Sequence, residues 1–203
     1  MTPAGGTVVA IAGAMSAALC EMACIHTIDA RSDAADADDA VEAITDLRAD
    51  LAGQRRRLLA LAEQDATLVD ELFGSGSDAA SDGDHVAGDS SDDTTPVSDS
   101  DRLAKRAAGI PLATAEAALA VLEDAAVVIE RGRESVAADA RAGAYLADAA
   151  VQASLATVRT NMAAMDDASY AAELGDRSDD VATTAAKLRR DVLSTPMGDR
   201  FED

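Results

Sequence analysis

The stretch Thr2 to Thr27, TPAGGTVVAIAGAMSAALCEMACIHT, constrains the chain more than any other. A glycine-containing turn, Pro3-Ala4-Gly5-Gly6-Thr7, runs into a segment whose one charged residue before Ile25 is Glu21. Ala10, Gly13, Ala14, Ala17 and Ala18 let another helix backbone approach closely, so the segment belongs in the middle of a helical bundle. The turn leaves free backbone N–H groups at a helix N-terminus, which favour an anion or the polar edge of a ligand. At ~20 residues the segment is long enough to cross a bilayer. Against that, no Lys or Arg precedes it, so a signal peptide's positive region is missing. A buried acid such as Glu21 would also cost ~3 kcal/mol in a bilayer. A core helix and no membrane contact are expected.

The rest of the chain agrees with a helical reading. Aromatic residues make up 2% of the 203 residues and there is no Trp, so the core must be built from Ala, Leu and Val. That suits close-packed helices and is poor for sheets, which favour β-branched and aromatic residues. Apolar residues recur at helical spacing, and the fold class expected is all-α, an up-and-down bundle of about five helices in a single domain over 1–203. The net charge of -21 repels nucleic acid and argues against a nucleic-acid partner. The only lysines are Lys105 and Lys187, and the Asp-rich excess reads as the surface of a cytoplasmic protein in a salt-loaded cell, where ionic strength screens self-repulsion. Cys20 and Cys24, one helical turn apart, read as small buried hydrophobes. Glu21 and His26 do not converge with them on one face, and their spacing fits no zinc pattern, so no metal is expected.

In order, the first helix is expected over about 7–28, followed by an acidic turn, Asp29 to Asp39. A second runs from near Asp38 to about Phe73 on the apolar positions Val41, Ile44, Leu47, Leu51, Leu58, Leu61, Leu68 and Leu72. Arg55, Arg56 and Arg57 form a basic cluster on its solvated face. Residues 74–101 are Gly, Ser, Thr and Asp with almost nothing apolar, which predicts a disordered acidic insertion. A third helix starts near Ser98, must kink or restart at Gly109-Ile110-Pro111, and ends at Gly132. The fourth covers about 136–165 and the fifth about 178–193.

Several short motifs give the chain a relative. Pro3-Ala4-Gly5-Gly6-Thr7 before an Ala/Gly-rich helix, Pro111-Leu112 before a second, Gly132 followed by Asp139, and Val158 with Asn161 stand in one order and spacing. In these the chain resembles the cyclodeaminase/cyclohydrolase family of folate enzymes. Leu61 and Asp65 fit a further family element, with Val69 where the family has phenylalanine. Departures are Ala4 and Thr7 in the opening turn, and Arg133, Ala138 and Thr157 at three polar positions of the later motifs.

The resemblance implies hydrolysis of 5,10-methenyltetrahydrofolate to 10-formyltetrahydrofolate, or ring closure of 5-formiminotetrahydrofolate with loss of ammonia. Both pass through a tetrahedral carbon between N5 and N10 and need only proton transfers, so no cofactor beyond the tetrahydrofolate substrate is expected. One positioned carboxylate can move those protons. Asp139, an acid in the Ala-rich stretch SVAADARAGAYLADAA, is the first candidate, and Asp65 the second. The plain alternatives are a helix-start acid stabilised by the dipole for Asp139 and a surface acid for Asp65. Gly5, Gly6 and Thr7 can present N–H groups and a hydroxyl to the pterin, or simply cap a helix. Asn161 can hold the pterin or satisfy a buried helix end, and Arg141 can neutralise a folate carboxylate or pair with Asp139. The family also implies a homodimer. The reading from a different class is a catalytically silent helical scaffold or partner-binding protein on the same bundle.

Overall fold

The computed structural model describes residues 5–31, 38–74 and 99–193. Among them the chain forms α1 (Gly5–Arg31), α2 (Asp38–Gly74), α3 (Asp99–Arg131), α4 (Ala137–Met162) and α5 (Ala168–Leu188). A 3-10 turn, Glu134–Val136, leads into α4, and a π-turn, Arg189–Leu193, follows α5. No strand occurs among the described residues. Successive helices alternate in direction, as the paired residues show. Thr7 meets Asp65 while Glu21 meets Arg55 across α1 and α2, and Ser16 meets Gly143 while Thr27 meets Arg133 across α1 and the α4 end. Gly109 faces Tyr170 and Glu116 faces Arg177, so α5 runs parallel to α3.

Small side chains set the bundle's tightness. Ala10, Ala14, Ala17, Cys20 and Ala23 of α1 are buried against Ala140, Ala144, Ala147 and Val151 of α4 and the core leucines of α2 and α3. A Cβ on Gly143 would stand 2.6 Å from Cys20 Sγ, closer than atoms can come, and a tight 3.1 Å from the Ser16 carbonyl, so glycine is what allows α1 and α4 to touch. Leu51, Leu58, Leu122 and Leu155 are almost fully buried and fill what the alanines leave. Each contributes about 2 kcal/mol by removal from water. Arginines link the helices at the rim: Arg55 to Glu21, Arg57 and Arg177 to Glu116, and Arg189 in a two-bond pair with Asp148. Arg55 and Arg57 of the basic cluster on α2 are therefore tied across helix boundaries to α1 and α3.

Three boundaries differ from the sequence expectation. α3 neither breaks nor restarts at Pro111, which lies buried inside one continuous helix. α5 begins ten residues earlier than expected, because the Asp167 side chain caps it by accepting from the Tyr170 N–H at 3.0 Å. Gly74 closes α2 and Asp99 to Asp101 open α3, so both helices reach into the ends of the stretch expected as an acidic insertion. The remainder of that insertion, 75–98, and His85 with it lie outside the described residues, as do Pro3 and Ala4 of the opening turn.

Candidate active site

Gly5, Gly6 and Thr7 form the first turn of α1, so their N–H groups lack acceptors within the helix. Across from them, near the C-terminal end of α2, stands Asp65. It is 8% exposed, the one buried carboxylate among the described residues. Thr7 Oγ1 donates to Asp65 Oδ2 at 2.7 Å. A Cβ on Gly6 would lie 2.4 Å from Asp65 Oδ1, so only glycine lets the carboxylate close onto the turn. Two of the residues singled out in sequence, Gly6 and Thr7, thus meet one of the two candidate acids.

Beside this acid opens a groove of about 520 Å³. Leu61 and Gln64 of α2 form one wall, Arg102, Lys105, Arg106, Gly109, Ile110 and Ala113 of α3 the floor, and Tyr170 of α5 the far side. Leu61 stands one helical turn before Asp65, about 6 Å along α2. Lys105 Nζ bonds Asp167 at 2.8 Å and Asp101 at 3.4 Å, and Arg106 pairs with Glu71. The bond to Asp167 holds the Lys105 ammonium above its usual pKa and the Asp167 carboxyl below its own. In a chain of net charge -21, three cations on one helix face beside an apolar floor suit a ligand with an apolar body and an anionic end.

Asn161 lies at the same end of the bundle in another role. Pro111 has no N–H to give the Ala107 carbonyl, its partner in an unbroken helix. Asn161 Nδ2, from the last turn of α4, donates to that carbonyl instead. This contact explains why the proline does not break α3, and it ties α4 to the floor of the groove.

Asp139 and Arg141 are elsewhere. Asp139 sits in the first turn of α4. The adjacent Ala140 carbonyl accepts from Cys20 Sγ at 3.8 Å. Cys20 is about 20 Å from Thr7 at the rise of an α-helix. Within one chain Asp139 and Asp65 therefore lie at well-separated levels of the bundle. Arg141 Nη1 donates to the Val192 carbonyl at 3.4 Å and does not line the groove. Gly132 closes α3, and the next N–H, of Arg133, donates to Thr27 Oγ1 at 3.0 Å. Cys20 and Cys24 are buried, free thiols, pushed up to about 12 and about 11, chiefly by burial. They are small hydrophobes, not nucleophiles. No group of three or more metal-ligating side chains occurs among the described residues.

Residues 1–180 match the formiminotransferase-cyclodeaminase family. The chain belongs to this family. It is 28% identical over 198 residues to a methenyltetrahydrofolate cyclohydrolase of Methylorubrum extorquens, covering 96% of this chain and 88% of that one. Its fold matches the crystal structure of formiminotetrahydrofolate cyclodeaminase from Thermotoga maritima with a TM-score of 0.74 at 17% identity, over 95% of this chain and 88% of that one. Arg102, Lys105 and Arg106 are the residues of the groove that sequence reading missed. Their spacing of three and four residues on one helix was a signal. Without the positions of α2 and α5, it is indistinguishable from a solvated face.

Proposed function

We propose that the chain hydrolyses 5,10-methenyltetrahydrofolate to 10-formyltetrahydrofolate, with Asp65 as the carboxylate that moves the protons. The observation that carries this reading is the buried Asp65, fixed by Thr7 and admitted by Gly6, next to Gln64 in the wall of a groove that three cations also line. Water attacks the methenyl carbon as Asp65 takes its proton, giving a tetrahedral carbon bonded to N5, N10 and hydroxyl. The C–N5 bond then breaks, the hydroxyl loses its proton to become the formyl oxygen, and Asp65 returns a proton to N5. One proton is released per turnover. The positive charge of the methenyl bridge favours its approach to the carboxylate. First-turn N–H groups of α1 can meet the pterin edge, and Arg102, Lys105 and Arg106 the carboxylates of the glutamate end. Here Asn161 supports the floor, while Asp139 and Arg141 serve the start of α4.

The active form we propose is a homodimer closed on α1. Val8, Ile11, Met15, Ala18, Met22 and Ile25 recur every three or four residues down its outer face. Val8, Met15 and the neighbouring Tyr145 of α4 are more than half exposed. By length and composition α1 could also span a membrane, but Ala10, Gly13, Ala14, Ala17, Cys20 and Ala23 along its inner face are buried in the bundle. The acidic surface supports work in a salt-rich cytoplasm.

The test is substrate choice. Purified protein in molar KCl is expected to bleach the absorbance of 5,10-methenyltetrahydrofolate above the buffer rate. Methenyl formation with ammonia release from 5-formiminotetrahydrofolate, and no bleaching of the methenyl form, would assign the ring closure instead. Turnover of neither by folded protein would leave the scaffold reading.

A further inference from the structure

Thr27, Thr45, Thr67, Thr114, Thr157 and Thr160 each donate to a backbone carbonyl one turn back in their own helix. Thr7 does not. It stands in the first turn of α1, and its hydroxyl donates across to Asp65 Oδ2 of α2 at 2.7 Å. A carboxylate acting as a base offers only acceptors, so the proton of this bond is the threonine's. The hydroxyl oxygen still has lone pairs with which to accept from a water molecule.

Burial orders the two groups. Asp65 is 8% exposed, whereas Thr7 is half-buried. The backbone of α1 lies against the acid: a Cβ on Gly6 would stand 2.4 Å from Oδ1 and 2.9 Å from Oδ2. Of the bonded pair, the residue that solvent reaches more readily is thus the threonine, with the acid behind it. Resting on the assignment of Asp65 as the base, we infer that the Thr7 hydroxyl relays the proton between the attacking water and this acid. As the water oxygen bonds to the methenyl carbon, one water proton passes to Thr7 Oγ1 and the threonine's own proton passes to Asp65 Oδ2. The C=N electron pair of the bridge moves onto nitrogen. Thr7 ends the step neutral and Asp65 holds the proton. When the C–N5 bond breaks, the path runs in reverse: Asp65 returns its proton to Thr7 Oγ1, which gives its own to N5. The relay extends the reach of the base by one hydrogen bond, about 2.7 Å. A carboxylate packed against a helix backbone then acts on a carbon that never enters its pocket.

Three variants and one isotope measurement test this. Single-turnover bleaching of 5,10-methenyltetrahydrofolate, with protein in excess, reads the chemical step. Thr7→Val keeps the shape and removes the hydroxyl, and should slow that step by about 100-fold. Thr7→Ser keeps the hydroxyl and should stay within about fivefold of the parent. A rate for Thr7→Val above a third of the parent, or equal losses in both variants, would overturn the inference. A threonine that only held Asp65 in place would also slow Thr7→Val, so the second measurement is made on the parent protein. Its single-turnover rate is followed across mixtures of H2O and D2O. A relay moves two protons together and predicts a curve that bows below the straight line. A straight line, sloping or flat, would overturn the relay. Asp65→Asn measured alongside separates the two readings. Full activity in Asp65→Asn would remove the base, and the relay with it; loss in Asp65→Asn with a parent-like rate in Thr7→Val would remove the relay alone.

Discussion

Asp65 has 8% of its surface exposed, a hydroxyl of Thr7 on one oxygen and the backbone of Gly6 against the other. Little else can sit at those two neighbouring positions without moving it. Gly6→Ala puts a methyl group 2.4 Å from Asp65 Oδ1, so the carboxylate must swing away. Turnover is then expected to fall by about 100-fold, the scale of a misplaced catalytic group. Steady-state kinetics with a matched circular dichroism spectrum checks this. A residual rate above half would contradict the geometry. At this scale the cluster was legible in the sequence where its members are local. The glycines and Thr7 are contiguous, and Asp65 follows Leu61 by one helical turn. Asp139 stands out as an acid in an Ala-rich stretch, and sequence alone does not show that it lies at another level of the bundle from Asp65.

Pro111 and Asn161 belong to the scale of whole helices. The proline deprives the Ala107 carbonyl of its helical donor, and Asn161 replaces it from α4. Asn161→Ala leaves that carbonyl without its donor, an expected cost of about 1–3 kcal/mol in urea unfolding. Pro111→Ala restores an N–H, so the same asparagine change made in that background should cost at least 1 kcal/mol less, on the order of one hydrogen bond. Equal costs in both backgrounds would show that the amide does not act through this carbonyl. The sequence shows a proline and predicts a break. It cannot show a donor fifty-four residues away that makes the break unnecessary. The early start of α5 has the same origin, since Asp167 is both its cap and the partner of Lys105 on another helix. All-helical architecture, by contrast, follows from the periodicity and from the lack of aromatic residues, neither of which depends on a distant partner.

At the scale of the whole molecule, the surplus of 38 acids over 17 basic residues must be carried without unfolding the chain. Asp124 is pushed up to about 6 by burial, then by the Asp50 and Glu123 charges. The folded state therefore holds an extra proton between an unfolded value of 3.8 and about 6. Stability tied to it is present below that window and lost as pH rises through it. Asp124→Asn should exceed the parent by on the order of 1–2 kcal/mol at pH 8, after allowance for screening, and by little near pH 4. Paired urea titrations at the two pH values measure the difference, and an equal gain at both would contradict the assignment. Met15→Glu places a charge in the outer stripe of α1 and should yield a monomer by light scattering in high salt; an unchanged mass in a folded variant would rule out that contact. The central claim is that the reaction belongs to the Gly6–Thr7–Asp65 end of the bundle. The most direct test is methenyltetrahydrofolate hydrolysis by Asp65→Asn beside Asp139→Asn. A loss of about 100-fold or more in kcat for Asp65→Asn, with Asp139→Asn within about tenfold of the parent, is the predicted result. The reverse order in two folded variants would contradict the account.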